Sequence, residues 1–348
     1  MSLYDSKTYI TDLRTAIKSS VGINELRGSS ILVTGATGTI GSFLVDMLLE
    51  YNKNDANIKI YAASRKIERL ANRFDKVKSD LLKYIELDVL KRIHFDFPVD
   101  YIIHAGGNAH PLAFNSDPVG TIIGNVKGTY NLLEYAKTHE TQRFCYISSG
   151  EIYGQGDLSL DSFDETYGGY INPTSPRSCY PNSKRVAETL CSSYSKQYGL
   201  ETVIVRPSHT YGACFTNSDS RANAQFFRNV LNDENIMIKS TGQQMRSYCY
   251  IADCASIIIT VLLKGKSGEA YNSANPLSRI TVAGFAEEIA KATRKKVIFQ
   301  EPSTLDTVNQ TPIIKQVLSS KKVEELGWSG HYTVKRGIAH TLAILRGD

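Results

Sequence analysis

A tyrosine and a lysine lie four residues apart in the stretch RSCYPNSKRVAETLC, which spans residues 177–191. At this spacing Tyr180 and Lys184 would share one face of a helix, one turn apart, and Pro181 suits the first helical turn. A tyrosine can accept a proton near neutral pH if cations lower the pKa of its phenol, and Lys184 is such a cation. Because this spacing also arises by chance on solvated helices, its interpretation depends on the rest of the chain.

Two serines end the apolar segment RFCYISS, a predicted strand. Ser148 and Ser149 would lie at the carboxyl edge of a parallel sheet, where doubly wound folds hold their ligands. Together with Tyr180 and Lys184, they give a Ser, Tyr, Lys set of the kind that moves a proton to and from a hydroxyl group.

The stretch VTGATGTIG places Gly35, Gly38 and Gly41 between a predicted buried strand and a predicted helix. Glycines there let the backbone turn tightly and approach a pyrophosphate, which the free N–H groups at the helix N-terminus hold. We interpret this G-x2-G-x2-G loop as dinucleotide-binding; a purely structural tight turn is the alternative.

The end of the next predicted strand, IKIYAAS, distinguishes NAD from NADP. An acidic residue there would hydrogen-bond the adenosine ribose, whereas a cation would accommodate a 2′-phosphate. The chain has Ser64 and Arg65, which favours NADP unless Arg65 lies in a solvated loop or stacks on the adenine. Asp88, at the end of the third strand in ELDV, is a candidate acceptor for the adenine amino group.

The elements that must position these residues alternate between apolar strands such as YIIHAGG and helical segments such as VKGTYNLLEYAKT. This predicts an α/β fold, a Rossmann-type doubly wound parallel sheet with a small, discontinuous C-terminal α/β lobe. The expected division is an N-terminal helical extension at 1–28, an NAD(P)-binding domain at 29–212 with 247–265, and a substrate-binding lobe at 213–246 with 266–348.

Composition argues against several kinds of partner. The net charge of +5 comes from 40 basic and 35 acidic residues scattered along the chain, so we expect no nucleic-acid partner. The six cysteines form no C-x2-C pair and no metal-ligand spacing with histidines, so we expect no metal. We see no signal peptide or membrane-spanning stretch and therefore expect a cytoplasmic protein with no membrane partner.

Over nearly its whole length the sequence resembles the extended short-chain dehydrogenase/reductase family of nucleotide-sugar epimerases, dehydratases and decarboxylases. The motifs that carry the resemblance are TGATGTIG, HAGG, NVKGTYNLLE, SSGEIYG, CYPNSK, RPSHTYG, RSYCYIAD, YNSANP and SSKKVEELGW. RSCY with KRVAETLC, and the glutamate of SSGEIYG, look most like UDP-glucuronate decarboxylases. The resemblance implies NAD(P)-dependent modification of a nucleotide-activated sugar through a 4-keto intermediate, and a homodimer formed by helices near 117–137 and 180–198.

The resemblance also implies roles for individual residues. Tyr180 would take a proton from a sugar hydroxyl, usually at C4, while Ser149 hydrogen-bonds the same oxygen and Lys184 holds the nicotinamide ribose. The expected substrate-binding residues are Ser149, Glu151, His209 and Arg246. The expected cofactor-binding residues are Gly35, Thr37, Gly38, Thr39, Ile40, Gly41, Ser64, Arg65, Asp88, Val89, Ala105, Gly106, Gly107, Asn125, Tyr180, Lys184 and Pro207.

Two positions, 150 and 209, depart from the family pattern. Dehydratases use an Asp-Glu pair where this chain has Gly150 and Glu151, and the missing acid argues against loss of a hydroxyl, which needs a proton donor. Glu151 and Arg246 match residues that assist sugar-acid decarboxylases, but the usual Ser or Thr at position 150 is absent. Glu151 is then either catalytic or a hydrogen-bonding wall residue, and Arg246 either holds a substrate phosphate or donates a proton. His209 replaces a usual Asn, as a substrate contact or a structural residue.

Several functions therefore stay open. An epimerase or decarboxylase recycles its cofactor internally and commonly keeps NAD bound, as the resemblance suggests, whereas a net keto-sugar nucleotide reductase would consume NADPH, as Ser64 and Arg65 suggest. A non-catalytic dinucleotide-sensing or RNA-binding protein on the same fold is a third alternative. The presence of Ser149, Tyr180 and Lys184 argues against it.

Overall fold

The computed structural model describes residues 3–93, 95, 97–107, 111–301 and 313–348. Its strands are β1 (Ser30–Thr34), β2 (Lys59–Ser64), β3 (Leu82–Glu86), β4 (Tyr101–His104), β5 (Arg143–Ile147), β6 (Thr202–Pro207), β7 (His209–Tyr211), β8 (Ile236–Ile238), β9 (Met245–Tyr250), β10 (Ala270–Ser273), β11 (Arg279–Thr281), β12 (Val297–Phe299) and β13 (Lys315–Gln316). Its α-helices are α1 (Lys7–Ser19), α2 (Thr39–Asn52), α3 (Ile67–Arg73), α4 (Pro111–Ser116), α5 (Pro118–Thr138), α6 (Cys179–Tyr198), α7 (Ala222–Leu231), α8 (Ile251–Lys264), α9 (Val282–Thr293), α10 (Lys321–Glu324) and α11 (Val334–Arg346).

Seven parallel strands form the main sheet in the order β10-β6-β5-β4-β1-β2-β3. Successive side chains of a strand point to opposite faces, so Ile31 and Val33 of β1 join a core with α2 and α8, whereas Leu32 joins a core with α5 and α6. Burial on both faces explains why the strands are continuously apolar. The predicted Rossmann-type α/β fold is confirmed.

The strand order reverses between β1 and β4. In register, Thr34 at the end of β1 lies beside Ala63 of β2 on one side and His104 of β4 on the other. In doubly wound sheets ligands bind outside the carboxyl ends of the strands at such a reversal. The loops that follow β1, β4 and β5 therefore surround the candidate site.

Two smaller sheets lie outside the main one. Strand β9 pairs with β7, β11 and β13, and β8 pairs with β12. The sequence predicts that 247–265 belongs to the NAD(P)-binding domain and 266–348 to the substrate-binding lobe. Instead β9 belongs to the smaller sheet and β10 pairs with β6 as an edge of the main sheet, while α8, apolar on all sides, packs against β5 and β6. The division into lobes otherwise stays a prediction.

The N-terminal helix α1 is tied to the rest of the molecule. Its buried face carries Tyr9, Leu13 and Ala16, and it packs against α2, α8 and α11. On the same helix the carboxylate of Asp12 accepts hydrogen bonds from the phenols of Tyr250 at 2.5 Å and Tyr332 at 2.7 Å. The extension is therefore part of the packed structure. Of the helices in the described residues, none is long and apolar enough to cross a membrane.

Candidate active site

Tyr180 and Lys184 lie in the first turns of α6, close to where the sequence predicted a helix to begin. Both residues are 5% exposed. The ring of Phe114, from α4, stacks on the Tyr180 ring with centroids 4.3 Å apart and planes inclined by 19°. Because the Phe114 ring stacks on the Tyr180 ring, packing fixes the direction of the Tyr180 hydroxyl.

Lys184 is held by the strand beside it. Its Nζ donates a hydrogen bond to the backbone carbonyl of Ile147 at 2.8 Å and lies 4.7 Å from the centre of the Tyr146 ring. Burial lowers the pKa of Lys184 to about 8, and the carboxylate of Glu188 partly opposes this. Since an ammonium has three donors, Lys184 can bind a further acceptor at the end of β5.

Ser149 and Ser148 have different surroundings. Ser149 caps the 3₁₀ turn Gly150–Tyr153, and its Oγ accepts the backbone N–H of Glu151 at 3.1 Å. Ser148 donates instead to the carboxylate of Glu188, which is itself paired with Arg206 at 2.7 Å. Ser149 therefore lies next to Tyr180, with which it hydrogen-bonds, whereas Ser148 is part of the buried Glu188–Arg206 ion-pair network.

The phenol of Tyr180 is surrounded by charged groups, of which sequence reasoning included Glu151 and missed Arg177 and Arg221. Burial, and after it the carboxylate of Glu151, raise the pKa of Tyr180 to about 12. A hydrogen bond with Ser149 and the guanidinium groups of Arg221 and Arg177 lower it. The sequence predicts that Lys184 and an oxidised nicotinamide supply this help, and this stays a prediction. In the structure the ammonium of Lys184 lies 5.8 Å over the ring centre and donates to the carbonyl of Ile147. The two arginines are cations that the sequence analysis did not include.

Glu151 is held by Arg177, from the turn before α6. One nitrogen, Nη2, lies 3.0 Å and 3.2 Å from the two carboxylate oxygens. The guanidinium also lies 4.8 Å over the Phe114 ring, so Arg177, Phe114 and Tyr180 form a stack. This arrangement fixes Glu151 beside Tyr180 and offsets its negative charge.

Arg246, in the middle of the smaller sheet, is a buried cation. It is 2% exposed, and its guanidinium donates to the backbone carbonyls of Met245, Ile313 and Ile314. Within the described residues it forms no salt bridge, and burial lowers its pKa. Since a buried charge needs compensation, an anionic ligand is the natural partner of Arg246.

His209 lies on β7, the strand beside β9. Its Nδ1 is buried and makes no hydrogen bond within the described part of the chain. Burial, together with the positive charges of Arg246 and Arg221, holds the pKa of His209 well below its usual range. Arg221 forms a two-pronged ion pair with Asp219. His209 is therefore a neutral imidazole with a free ring nitrogen.

The glycine loop has the shape that a dinucleotide needs. A Cβ at Gly35, where φ is +66°, would lie 2.6 Å from the carbonyl oxygen of Ala105, and one at Gly41 would lie 2.3 Å from the oxygen of Gly35. Gly38 is the N-cap of α2, and the loop residues Thr37, Thr39 and Ile40 are partly exposed around it. Close backbone approach leaves the helix N-terminus open, so the loop fits a pyrophosphate.

The segment after β4 completes this edge. Thr34 Oγ1 accepts the N–H of Gly106 at 3.1 Å. A Cβ at Gly107 would lie 3.0 Å from Asn125 Oδ1 and 4.0 Å from Lys184 Nζ. The expected cofactor residues Ala105, Gly106, Gly107, Asn125 and Lys184 therefore lie next to one another, and Pro207 ends β6 nearby, with its carbonyl 3.3 Å from a Cβ placed on Gly150.

The far end of the cleft carries the residues expected to hold the adenosine. Ser64 ends β2, and Arg65 after it is exposed, with no hydrogen bond or ion pair to any residue that the structure describes. Asp88 uses one carboxylate oxygen to accept the N–H of Leu90 at 3.1 Å. Val89 packs against α5, where a Cβ on Gly128 would lie 2.7 Å from its Cγ2. The contacts of these residues with an adenosine therefore stay a prediction.

Comparison with known proteins shows which family the chain is similar to. Residues 31–274 match the model of the NAD dependent epimerase/dehydratase family. UDP-glucuronic acid decarboxylase 3 of Arabidopsis thaliana is 32% identical over 308 residues, which are 88% of this chain and 86% of that protein. UDP-glucuronic acid decarboxylase 1 of Danio rerio is 29% identical over 322 residues, 92% of this chain and 73% of that protein.

Solved structures share the fold. UDP-glucose 4-epimerase from Thermotoga maritima superposes with a TM-score of 0.75 at 22% identity, over 91% of this chain and 98% of that one. UDP-glucuronic acid 4-epimerase from Bacillus cereus, in complex with UDP-glucuronic acid and NAD, gives 0.74 at 23% identity, over 91% and 99%. The sheet, the glycine loop and the Ser-Tyr-Lys set define an extended short-chain dehydrogenase/reductase. The chain belongs to the NAD-dependent epimerase/dehydratase family and is an enzyme of that family.

Proposed function

We propose that this enzyme decarboxylates a nucleotide-linked sugar acid, a UDP-linked hexuronic acid, through a 4-keto intermediate. The observation that carries the proposal is Arg246, a buried cation that forms no salt bridge in the described residues and lies close enough to Glu151 for their charges to interact. The similarity to UDP-glucuronic acid decarboxylases over 88% of the chain supports it.

The chain's own residues can support this chemistry as follows. Tyr180 takes the proton of the C4 hydroxyl while Ser149 holds the same oxygen, and Lys184 holds the ribose next to the reacting carbon. Bound NAD or NADP supplies the hydride acceptor for C4 and later returns the hydride. Once C4 is a ketone, the sugar is a β-keto acid, because its carboxylate is attached to C5, next to the C4 carbonyl. The C5–C6 bond therefore breaks, with its electrons passing to the C4 oxygen. A proton then adds at C5, and Tyr180 returns its proton to the C4 oxygen.

The other site residues bind and orient the substrate. Arg246 holds an anionic group, and neutral His209 offers its free ring nitrogen to a hydroxyl or phosphate. Glu151, fixed by Arg177, faces the reacting sugar beside Tyr180. Epimerisation is the second candidate, because Gly150 lacks the hydroxyl side chain that decarboxylases usually have there.

NAD is the cofactor that we propose, since an internally recycling enzyme keeps its dinucleotide and the solved structure from Bacillus cereus contains NAD. Arg65, exposed and without a partner in the described residues, would bind a 2′-phosphate if the form were NADP. Mass spectrometry of nucleotides released by denaturation separates the two forms. Release of NADP, or an empty site that prefers NADPH, would favour a net reductase instead.

We further propose a homodimer in the cytoplasm. Helices α5 and α6 pack against each other and both expose apolar side chains, among them Val119, Ile122, Ile123 and Val186. A second copy of the same helix pair would cover them. All six cysteines are free thiols, which fits a reducing compartment. Light scattering tests the dimer: Ile123→Asp is expected to give monomers, and a monomeric wild-type protein would contradict the proposal.

The decisive assay for the reaction uses UDP-glucuronate and NAD in deuterated water. Release of CO2 together with UDP-xylose carrying deuterium at C5 is expected, whereas an isomeric UDP-hexuronate without CO2 would indicate an epimerase. Tyr180→Phe keeps the stacked ring but removes the hydroxyl, so it should bind UDP-glucuronate and give no product. Oxidation of NADPH that depends on a keto-sugar nucleotide, without CO2, would refute the proposal.

A further inference from the structure

Position 150 lacks the Ser or Thr that sugar-acid decarboxylases usually carry, but its space is occupied. A Cβ built on Gly150 would lie 3.1 Å from Leu318 Cδ1, 3.3 Å from the Pro207 carbonyl oxygen and 3.5 Å from Gln316 Cδ. The first two contacts are tighter than ordinary van der Waals separations. The carboxamide of Gln316 is thus one of three groups that a side chain at position 150 would contact.

Gln316 is a buried residue with an unused donor. It is 3% exposed, and its Nε2 makes no hydrogen bond within the described residues. A buried polar group without a partner costs about 1 to 3 kcal/mol, so its retention needs an explanation. A ligand that accepts a hydrogen bond would remove the cost.

The strand pairing places this donor beside Arg246. Strands β13 and β9 run parallel with Gln316 in register with Arg246, so the two side chains emerge on the same face. The Arg246 guanidinium already donates to the carbonyls of Ile313 and Ile314, at the start of the same strand. Neither donor group pairs with an acidic side chain within the described residues, and Glu151, whose charge acts on Arg246, is itself paired with Arg177. The two donors therefore favour a negatively charged ligand with several acceptor oxygens.

We propose that Gln316 binds the carboxylate of the sugar acid and, with Arg246, selects acidic substrates, replacing the hydroxyl side chain that is missing at position 150. The inference rests on the proposed decarboxylase function. A carboxylate between an amide donor and a guanidinium would satisfy both groups. It would also be held beside Glu151, next to the Ser149–Tyr180 pair.

The test compares binding of UDP-glucuronate with binding of UDP-xylose, which lacks only the carboxylate, by calorimetry in the presence of NADH, which cannot accept the C4 hydride and so prevents turnover. Gln316→Met keeps the length but removes the donor, so UDP-glucuronate should bind about tenfold to a hundredfold more weakly while UDP-xylose is unaffected. Gln316→Glu, whose new carboxylate would pair with Arg246, should lose UDP-glucuronate binding but keep its melting temperature. Gln225→Met, in α7, is the control for loss of an amide outside the site.

A shorter side chain separates contact from packing. Gln316→Ala removes both the donor and the packing of the side chain, so it should weaken UDP-glucuronate binding at least as much as Gln316→Met does, while the difference between the two variants measures the packing contribution. Equal weakening of both nucleotides by Gln316→Met, or no weakening, would overturn the role of Gln316 while leaving decarboxylation intact. If the wild-type protein itself binds UDP-glucuronate no better than UDP-xylose and releases no CO2, the proposed function fails instead.

Discussion

Replacing Arg177 should move the pH dependence of the first proton transfer. The guanidinium pairs with Glu151 and lies 4.8 Å over the Phe114 ring, which in turn stacks at 4.3 Å on Tyr180. Arg177→Met removes the charge, keeps an unbranched side chain over the ring, and leaves the Glu151 carboxylate uncompensated. Both effects disfavour the phenolate, so the pKa of Tyr180 should rise above its value of about 12 in the chain alone.

The size of the pKa shift of Tyr180 follows from the distances in the Arg177–Phe114–Tyr180 stack. The two ring separations place the guanidinium within roughly 9 Å of the Tyr180 ring. At an effective permittivity of about 20, a unit charge at that distance contributes about 2 kcal/mol, a little more than one pKa unit. Partial solvent screening reduces this to about one unit. Because the rate below the pKa is proportional to the phenolate fraction, the first step should slow about tenfold at a given pH.

The assay is stopped-flow measurement of nicotinamide reduction after mixing the NAD-loaded protein with UDP-glucuronate, from pH 6 to pH 10. We expect the alkaline rise of the Arg177→Met profile to move to higher pH and that of Glu151→Gln to lower pH. Arg177→Lys keeps the charge and should stay near wild type. Arg143→Met is the matched control. Arg143 also pairs with a glutamate, Glu201, at 2.8 Å, and its side chain is about as exposed as that of Arg177. It lies at the amino end of β5, the end of the strand opposite the site.

Opposite displacements of the two profiles are the signature of an electrostatic role. If Arg177→Met and Arg143→Met gave the same profile, or if Arg177→Met and Glu151→Gln moved it in the same direction, the guanidinium would not act on Tyr180 through charge. Melting temperatures recorded alongside show whether a slow variant is merely unstable, and Arg177→Lys tests the charge in a side chain that still folds.

Three further outcomes follow from the geometry. Ser149→Ala should lower kcat about a hundredfold with little change in KM, because it removes a hydrogen bond to the reacting oxygen; steady-state kinetics on UDP-glucuronate test this, and an unchanged kcat would exclude Ser149 from the reaction. Gly41→Ala would bring a methyl to 2.3 Å from the Gly35 oxygen, so the rise in melting temperature on adding NAD should disappear; a retained rise would refute that reading of the loop. Asp46→Asn removes the buried carboxylate that pairs with Arg73, whose side chain is 18% exposed, and should cost about 3 kcal/mol in urea unfolding, whereas a loss below 1 kcal/mol would show that water replaces the carboxylate.

Features with a local cause could be predicted from the sequence. The glycine loop lies between strand and helix because only glycine tolerates the approach of backbone at Gly35 and Gly41. Tyr180 and Lys184 share a helix face because α6 begins at Cys179. The apolar runs become strands of one sheet because both faces are covered by helices.

Features that depend on distant segments could not be predicted. Neither the pairing of Arg177 with Glu151, 26 residues apart, nor the stacking of Phe114 on Tyr180 leaves a pattern in the chain. The direction of the Lys184 ammonium depends on the carbonyl of Ile147 in a neighbouring strand. Likewise, β10 is too short for its sequence to indicate which sheet it joins, and only its pairing with β6 places it in the main sheet.

The three arginines of the site differ in whether an acidic side chain offsets their charge. Arg177 is offset by Glu151 and Arg221 by Asp219, so each brings little net charge to the substrate while still acting on Tyr180. Arg246 is held only by backbone carbonyls in the described residues. An anionic group on the substrate would therefore gain most from Arg246, since this cation forms no salt bridge within the described residues, although the charge of Glu151 acts on it. If that anionic group is the sugar carboxylate, a neutral hexose would leave Arg246 buried and unpaired, which is the physical basis for expecting an acidic sugar. If it is the diphosphate, Arg246 would bind acidic and neutral nucleotide sugars alike.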